Sequence, residues 1–312
     1  MTQLHRDTSC AVSLAGVHLL SPLILASGIL GLTSSSLKRV AEHGAGAVTT
    51  KSFGIEPRAG HKNPSIIPFA HGLLNAVGLS NPGMHVMVDE IRAYKAQCRT
   101  PIIASVFGRT VEEFTVVAET ASMAEPDCVE LNVSCPNVSS EFGTPFGASI
   151  KDTSEIVRLV RNRIGSLPLV VKLTVNCPSL KTMARACQNN GADIINAVNT
   201  VGPGMLIDYR TQKPILSNKT GGISGPAMFP VAVRAVFEIF PEVTIPIIGT
   251  GGVTGAEDAL QLIMAGATAV GIGSGIYYGG IDVFARINGD LKTLLEEIGC
   301  SCLEDVRGSA HE

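Results

Sequence analysis

Eight short apolar runs, rich in valine, isoleucine and leucine, recur along the chain and alternate with segments of helical character. Within each run the apolar residues are nearly continuous, which is typical of parallel strands buried on both faces. The runs cover residues 23–26, 47–50, 102–106, 128–133, 169–173, 193–198, 245–249 and 269–272. Strands that alternate with helices build either a closed (β/α)8 barrel or an open doubly wound sheet.

The number of runs favours the closed barrel, an α/β fold of eight strands. No Gly-x-Gly-x-x-Gly motif follows the first run, so the dinucleotide-binding signature of an open sheet is missing. No linker or low-complexity segment divides the 312 residues. We therefore predict one (β/α)8 TIM-barrel domain over residues 1–312, with the long segment 52–82 as a loop insertion over the C-terminal face of the strands.

Amphipathic segments between the runs are the predicted helices. They cover residues 34–43, 111–124, 153–164, 180–190, 226–240 and 254–265. In the last of these, Thr254 followed by Glu257 forms a capping-box pattern, and Gly266 is placed to end the helix.

The composition excludes several classes of function. A net charge of −3 gives no basic surface for a nucleic-acid backbone, and the 4% of aromatic residues include no tryptophan for base stacking. No apolar run is long enough to predict a membrane span. The eight cysteines form no Cys-x-x-Cys pair, so we expect no metal site, and thiols scattered through a long chain are typical of a cytoplasmic protein.

Glycine is over-represented, with 33 residues in 312 against a usual share of about 7%. Two glycine clusters, residues 249–252 and 271–275, follow the last two apolar runs. In barrels, the loops after the seventh and eighth strands commonly bind phosphate through backbone N–H groups. Residues 221–225 could supply a third such loop. Tight turns without a ligand are the alternative explanation.

Polar side chains lie at or beyond the ends of several runs, where barrel active sites are found. They are Lys51, Asn132, Asn137, Asn199 and Thr200. Asparagine amides suit a planar ligand that carries both donors and acceptors on its edge. Lys172 lies inside the fifth run, and a buried ammonium needs an anion, an electron-rich ring or a salt bridge, for which Glu130 is the acidic candidate.

Cys135 follows the fourth run and precedes a proline, in a loop that reaches to Gly147. A thiol in this position could act as a base if neighbouring groups bring its pKa near the operating pH. An inert loop cysteine is the alternative, and residue spacing alone does not distinguish the two.

Together these segments resemble the dihydroorotate dehydrogenase family over nearly the whole chain, and within it the class 1B (NAD-linked) catalytic subunits. The resemblance rests on residues 26–28, 50–52, 75–83, 130–137, 171–173, 199–200, 221–226, 246–252 and 265–267. It implies FMN as cofactor and the oxidation of (S)-dihydroorotate to orotate in de novo pyrimidine biosynthesis. In this family a base removes the C5 proton while a hydride passes from C6 to N5 of the flavin.

The resemblance also implies a role for individual residues. Cys135 would be the base, because class 1 enzymes use cysteine, and Lys51 would contact both flavin and substrate. The implied substrate-binding residues are Lys51, Asn75, Ala76, Val77, Gly78, Leu79, Asn132, Asn137, Asn199 and Thr200. The implied FMN-binding residues are Ser27, Lys51, Ser52, Ser105, Asn132, Lys172, Val198, Gly225, Gly251, Gly252, Gly273 and Ser274, the last four around the phosphate. Ser105 departs from the asparagine that the family usually has there.

Class 1B enzymes pass electrons to NAD through a second subunit that carries FAD and a 2Fe–2S cluster. This sequence has no cysteine spacing for such a cluster and no dinucleotide-binding motif. The resemblance therefore implies an electron-transfer partner, with a homodimer of this chain inside a heterotetramer. A class 1A enzyme, which uses fumarate as acceptor, is the alternative.

Three other functions fit part of the pattern. A dihydropyrimidine dehydrogenase-type flavoprotein would act on uracil or thymine and also uses a loop cysteine. A non-catalytic protein could bind FMN without being reduced by dihydroorotate. A sugar-phosphate aldolase or isomerase would use the glycine loops without any flavin.

Overall fold

The computed structural model describes residues 9–133 and 146–312. Eight parallel strands in this part of the chain close into a barrel in which each strand pairs with the next one along the chain and the last pairs with the first. They are β3 (Leu23–Leu25), β4 (Ala47–Thr49), β7 (Ile102–Val106), β8 (Cys128–Asn132), β9 (Leu169–Leu173), β10 (Ile194–Ala197), β15 (Ile247–Thr250) and β16 (Ala269–Ile272). The predicted TIM barrel is confirmed, and each apolar run contributes one strand.

Helices cover the outside of the barrel. They are α1 (Ser34–Glu42), α2 (Met84–Gln97), α3 (Val111–Ser122), α4 (Ile150–Ile164), α5 (Leu180–Asn189), α6 (Phe229–Ile239), α7 (Ala256–Met264), α8 (Gly275–Gly279) and α9 (Val283–Glu297). Hydroxyl side chains cap several of them; Thr110, for example, accepts the backbone N–H of Glu113 at the start of α3. The sequence analysis did not predict α2, α8 or α9.

The capping box predicted for α7, Thr254 with Glu257, is wrong. The helix begins after Gly255, and the carboxylate of Asp258 accepts the backbone N–H groups of Thr254 and Gly255. An aspartate is short enough to reach these N–H groups from the first turn, so Glu257 has no capping role. Gly266 follows the end of α7 with a φ of +120°, a conformation that favours glycine.

The barrel interior has two levels. The lower cluster takes one apolar side chain from each strand: Ile24, Ala47, Ile103, Cys128, Val170, Ile194, Ile248 and Ala269. An N-terminal hairpin, β1 (Val12–Leu14) with β2 (Val17–Leu19), adds Leu14 and Leu19 and closes this end. Side chains two residues further along a strand face the same way, which defines the upper set: Ala26, Thr49, Ser105, Glu130, Lys172, Asn196, Thr250 and Gly271.

Two insertions cover the opposite end of the barrel with a four-stranded antiparallel sheet. The insertion after β4 supplies β5 (Ile66–Phe69) and β6 (Gly72–Asn75), and the insertion after β10 supplies β11 (Val201–Gly204) and β14 (Gly221–Ser224). A short hairpin, β12 (Ile207–Asp208) with β13 (Lys213–Pro214), projects from the second insertion. Leu74, Ala76 and Leu216 form a separate small core beneath this sheet. The segment 52–82, predicted as a loop insertion, thus contains the strands β5 and β6. They pair with each other, and β6 also pairs with β14 from the second insertion.

Among the described residues, no helix is both long enough and apolar enough to cross a membrane.

Candidate active site

A cavity of about 1220 Å³, counting its open mouth, lies between the C-terminal ends of the barrel strands and the four-stranded sheet. This is the end at which barrel enzymes carry their active sites. The structure brings most of the sequence-predicted site residues to its wall: Ser27, Lys51, Ser52, Asn75, Val77, Gly78, Leu79, Asn132, Lys172, Val198, Asn199, Thr200, Gly251, Gly252, Gly273 and Ser274.

Three of the predicted residues that the structure describes are not on this wall. Ala76 turns its side chain into the small core under the four-stranded sheet. Ser105 is fully buried one step below the wall, beneath Ser52. Gly225 lies behind Gly252, so close that a Cβ on Gly252 would stand 2.9 Å from the Gly225 carbonyl oxygen. Cys135 and Asn137 lie outside the described residues.

A chain of hydroxyl groups runs from the cavity wall into the barrel. The Oγ atoms of Ser27 and Ser52 are 2.7 Å apart, and those of Ser52 and Ser105 are 2.9 Å apart. Ser105 donates to Oε1 of Glu130 at 2.8 Å. Each hydroxyl has a single proton to donate, so Ser52 donates to Ser105 and Ser27 donates to Ser52. The Ser27 oxygen therefore presents lone pairs, and not its proton, to a ligand in the cavity.

The second oxygen of Glu130 anchors a matching chain on the other side of the barrel. Asn196 donates to Oε2 of Glu130 at 2.7 Å, and the hydroxyl of Thr250, on the cavity wall, donates to Oδ1 of Asn196 at 2.7 Å. Gly271 makes room for this contact, because a Cβ there would lie 2.1 Å from the Thr250 hydroxyl. The buried glutamate thus orients polar groups on both sides of the cavity floor.

Lys172 is the buried cation of the site. It is 4% exposed, it lines the cavity, and no carboxylate or other hydrogen-bond partner holds its ammonium within the described part of the chain. The salt bridge with Glu130 that the sequence left open is not formed among the described residues, and that carboxylate instead accepts hydrogen bonds from Ser105 and Asn196. Burial of an uncompensated ammonium is unfavourable, so the cavity is built for a ligand that carries negative charge or an electron-rich ring.

Amide side chains converge on one side of the cavity. Asn132, at the end of β8, donates to the Ser52 hydroxyl at 3.0 Å, and the side-chain amide of Asn199 donates to Oδ1 of Asn132 at 3.2 Å. Asn75 reaches across from β6 to the carbonyl of Gly222 at 3.2 Å. Mutual hydrogen bonds fix the rotamers of these amides, so their donors and acceptors have defined directions.

Glycines shape the part of the cavity near β15 and β16. Gly251 and Gly252 follow β15 with φ values of +144° and +77°, which side chains rarely adopt. Gly273 and Ser274 follow β16 and lead into α8. Small residues here let a ligand approach the backbone N–H groups closely, which is how barrels bind phosphate.

Several cavity-lining residues were not singled out from the sequence. Thr250 could have been found, because a hydroxyl that ends an apolar strand follows the same pattern as Asn132. Ser224 and Met228 border a glycine cluster but carry no separate signal. Ile66 and Leu73 come from the four-stranded sheet, and nothing in their apolar side chains distinguishes a cavity wall from a core.

Comparison of the sequence with known proteins identifies the family of this chain. A family profile described as dihydroorotate dehydrogenase matches residues 9–295. The catalytic subunits of dihydroorotate dehydrogenase B (NAD(+)) from Methanosarcina mazei, Methanocaldococcus jannaschii and Methanothermobacter thermautotrophicus are 43%, 41% and 40% identical to this chain. The alignments cover 96% of this chain and 95%, 97% and 98% of those proteins. The chain therefore belongs to the dihydroorotate dehydrogenase family of oxidoreductases and is of the class 1B type.

Proposed function

We propose that this chain is the catalytic subunit of an FMN-dependent, NAD-linked dihydroorotate dehydrogenase that oxidises (S)-dihydroorotate to orotate in pyrimidine biosynthesis. One cavity combines three features, and this observation carries the proposal: a buried ammonium that no described residue pairs, glycine-rich strand ends and converging amides. A sugar-phosphate aldolase or isomerase would instead copurify without flavin.

The residues on the wall fit FMN. Lys172 suits the electron-rich flavin ring, and Gly251, Gly252, Gly273 and Ser274 suit its phosphate. Ser27 offers acceptor lone pairs, which match an N–H donor on a ligand ring. When bound, FMN supplies the acceptor for the two electrons that leave the substrate. Ser52, Ser105 and Val198 support this part of the site, and Gly225 supports the phosphate loop from behind.

The remaining polar wall fits the substrate, a planar pyrimidine ring with a carboxylate. Asn132, Asn199 and Thr200 offer directed donors and acceptors to the ring edge, together with Asn137 from the loop outside the described residues. The segment 75–79 faces the carboxylate. Lys51, on the wall at the end of β4, contacts both ligands.

Cys135 is the base that takes the C5 proton of dihydroorotate. Its place in the sequence, three residues after Asn132 at the end of β8, supports this role. Holding the substrate against the amides keeps the proton directed at the thiolate, which contributes through proximity and orientation.

The partner proposal rests on the relatives. Their name, catalytic subunit of an NAD(+)-linked enzyme, supports a second subunit that carries FAD and a 2Fe–2S cluster and passes electrons to NAD. We propose a homodimer of this chain within a cytoplasmic heterotetramer. A fumarate-linked enzyme would need no such partner.

Anaerobic addition of dihydroorotate to the purified yellow protein tests the function. We expect the flavin absorbance to bleach in the wild type and far more slowly in Cys135→Ala near neutral pH, since general base catalysis contributes about 10²–10⁴-fold. Cys128→Ala is the matched control, because this thiol is buried in the lower cluster and should leave bleaching unchanged. Bleaching by dihydrouracil alone would instead support a dihydropyrimidine dehydrogenase, and equal rates in Cys135→Ala would exclude the assigned base.

A second experiment tests the acceptor. The chain is purified alone and together with a candidate flavoprotein subunit, and NAD, fumarate and quinone are compared as acceptors. We expect NAD reduction only with the partner present. Turnover with fumarate by the chain alone would make it a class 1A enzyme.

A further inference from the structure

The cavity wall formed by segment 75–79 has an unusual backbone. Gly78 and Leu79 both adopt left-handed conformations, with φ values of +73° and +55°. Leucine rarely adopts this conformation, and such residues persist where the surrounding structure holds them in place. Two consecutive left-handed residues curl the chain so that successive carbonyls point to one side and successive N–H groups to the other.

Arg58 and His61 hold this segment from behind. The Nε–H of Arg58 donates to the carbonyl of Gly78 at 2.7 Å. The ring Nδ1 of His61 lies 3.1 Å from the carbonyl of Ala76 and donates to it, because a carbonyl can only accept. The backbone N–H of His61 donates to the carbonyl of Val77 at 3.0 Å. Three successive carbonyls are therefore bound on the side away from the cavity.

Residues 58–61 pack closely against the segment 75–79. A Cβ on Gly60 would stand 2.3 Å from the Val77 carbonyl oxygen, and a Cβ on Gly78 would stand 2.8 Å from the ring of His61. Backbone hydrogen bonds of 2.8 and 3.0 Å between Arg58 and Asn81 tie the ends together. The segment 75–79 thus has little freedom to rotate its peptides.

The orientation of the N–H groups follows from the peptide geometry. The peptides that join residues 76 to 79 are trans and planar, so each N–H points opposite to the carbonyl of the preceding residue. The N–H groups of Val77, Gly78 and Leu79 therefore point away from Arg58 and His61, toward the cavity that these same three residues line. Three converging N–H groups form a concave anion site.

We propose that Arg58 and His61 are positioning residues that aim these three N–H groups at the carboxylate of the substrate. They thereby set the preference for a pyrimidine that carries a carboxylate over one that does not. This inference rests on the proposed function and assigns its substrate selectivity to a pair of residues that do not line the cavity.

The positive charge of Arg58 makes the N–H of Leu79 a stronger hydrogen-bond donor. Its guanidinium is a cation and donates to the carbonyl of Gly78, which shares a peptide with the N–H of Leu79. A hydrogen bond to a carbonyl polarises its peptide and makes the N–H on the other side a better donor. Arg58 thus acts on the carboxylate through one peptide, without contacting it.

The test compares orotate with uracil, which lacks the carboxylate, by calorimetric titration of the FMN-loaded protein. In Arg58→Ala we expect the Kd for orotate to rise about tenfold, as for loss of a charge-assisted hydrogen bond, and the Kd for uracil to change less than twofold. The KM for dihydroorotate should rise by the same factor with little change in kcat, as expected for loss of uniform binding.

Two further variants keep the test decisive. His61→Ala removes the Nδ1 hydrogen bond to the Ala76 carbonyl and should show the same selectivity change at smaller size, and Arg58→Lys keeps the charge and should recover part of the orotate affinity. Arg92→Ala is the matched control, because Arg92 also donates to a backbone carbonyl, that of Met123, and its side chain is on the exposed face of helix α2. Its ligand affinities should equal those of the wild type.

The possible outcomes distinguish a failure of the positioning role from a failure of the proposed function. Equal losses of orotate and uracil affinity in Arg58→Ala, or no loss of either, would overturn the positioning role of Arg58 and His61. If Arg58→Ala does not fold, the same comparison in His61→Ala and Arg58→Lys decides. A wild type that binds orotate no better than uracil would overturn the proposed function itself.

Discussion

The two levels of the barrel interior are built by the same eight strands, yet they have opposite chemistry. The lower cluster is apolar in every strand. Two residues further along, the upper set contains the buried Glu130, the buried Lys172 and the amide of Asn196. The backbone is the same at both levels, so side-chain chemistry alone separates the stabilising part of the fold from the functional part.

Strand β8 shows this change within five residues. Cys128 belongs to the lower cluster, Glu130 accepts hydrogen bonds in the upper set, and Asn132 lines the cavity. The position of a residue along a barrel strand therefore sets its role. Residues at the start of the strand pack the core, those in the middle orient polar groups, and those at the C-terminal end contact the ligand.

The largest expected effect comes from the lower cluster. Ile103→Ala removes a buried side chain that is 2% exposed, so the free energy of unfolding should fall by about 2–5 kcal/mol. FMN affinity of the folded protein should stay within about twofold, because Ile103 is two residues below the polar set. Chemical denaturation and FMN titration measure both. Ile298→Ala, at a side chain 47% exposed, is the control, and a loss below about 1 kcal/mol in Ile103→Ala would contradict the division into two levels.

On the same strand, Ser105→Ala tests the upper set. It removes the donor to Oε1 of Glu130 and the acceptor for Ser52, so we expect a loss of about 1.5–3 kcal/mol in the free energy of unfolding, as for a hydrogen bond to a charged group. Unlike Ile103→Ala, it should also weaken FMN binding, because Ser52 and Ser27 lose their orientation. Ser122→Ala, which removes a local hydroxyl bond to Glu119 in α3, serves as control. Unchanged FMN affinity in Ser105→Ala would show that the hydroxyl chain does not reach the ligand.

Lys172→Met should change stability and binding in opposite directions. No described residue pairs with this buried ammonium, so replacing it by an apolar chain of similar length should raise the free energy of unfolding of the FMN-stripped protein by about 1 kcal/mol. The same change should weaken FMN binding about tenfold, because the partner of the electron-rich ring is gone. Fluorescence titration and denaturation of the stripped protein provide the two values, with exposed Lys181→Met as control. A loss of stability in Lys172→Met would mean that the lysine is a structural residue.

The barrel and much of the cavity wall could be predicted because their signals are local in the sequence. A continuous apolar run identifies a buried strand, and a lysine within residues 169–173 is conspicuous among Val170, Val171 and Leu173. Asn132 and Asn199 were found in the same way, as polar residues that end such runs.

Other parts could not be predicted, because they depend on contacts between distant segments. The four-stranded sheet joins β6 to β14, nearly 150 residues apart along the chain, by the bond from Asn75 to Gly222 among others. Arg58 and His61 lie in an irregular segment without periodicity, and only the folded chain shows that they bind the carbonyls of residues 76–78. Ala76 matched the family pattern, but its side chain faces the small core, which sequence position alone does not reveal.

The smallest effect tests whether the lower cluster is sealed. Burial raises the pKa of the Cys128 thiol to about 12, with a smaller contribution from Asp127, and burial likewise raises the pKa of Cys187 to about 12. A raised pKa keeps the thiol protonated, and the thiolate is the form that reacts, so neither residue should be alkylated by iodoacetamide between pH 6 and 9. Cys300 and Cys302, which are partly exposed, should be labelled in the same samples, as mass spectrometry of peptides can measure. In denaturant Cys128 and Cys187 should label fully, because the cause of the shift is the fold. Labelling of native Cys128 would mean that solvent reaches the lower cluster, and the apolar level would then not be closed off from the polar one above it.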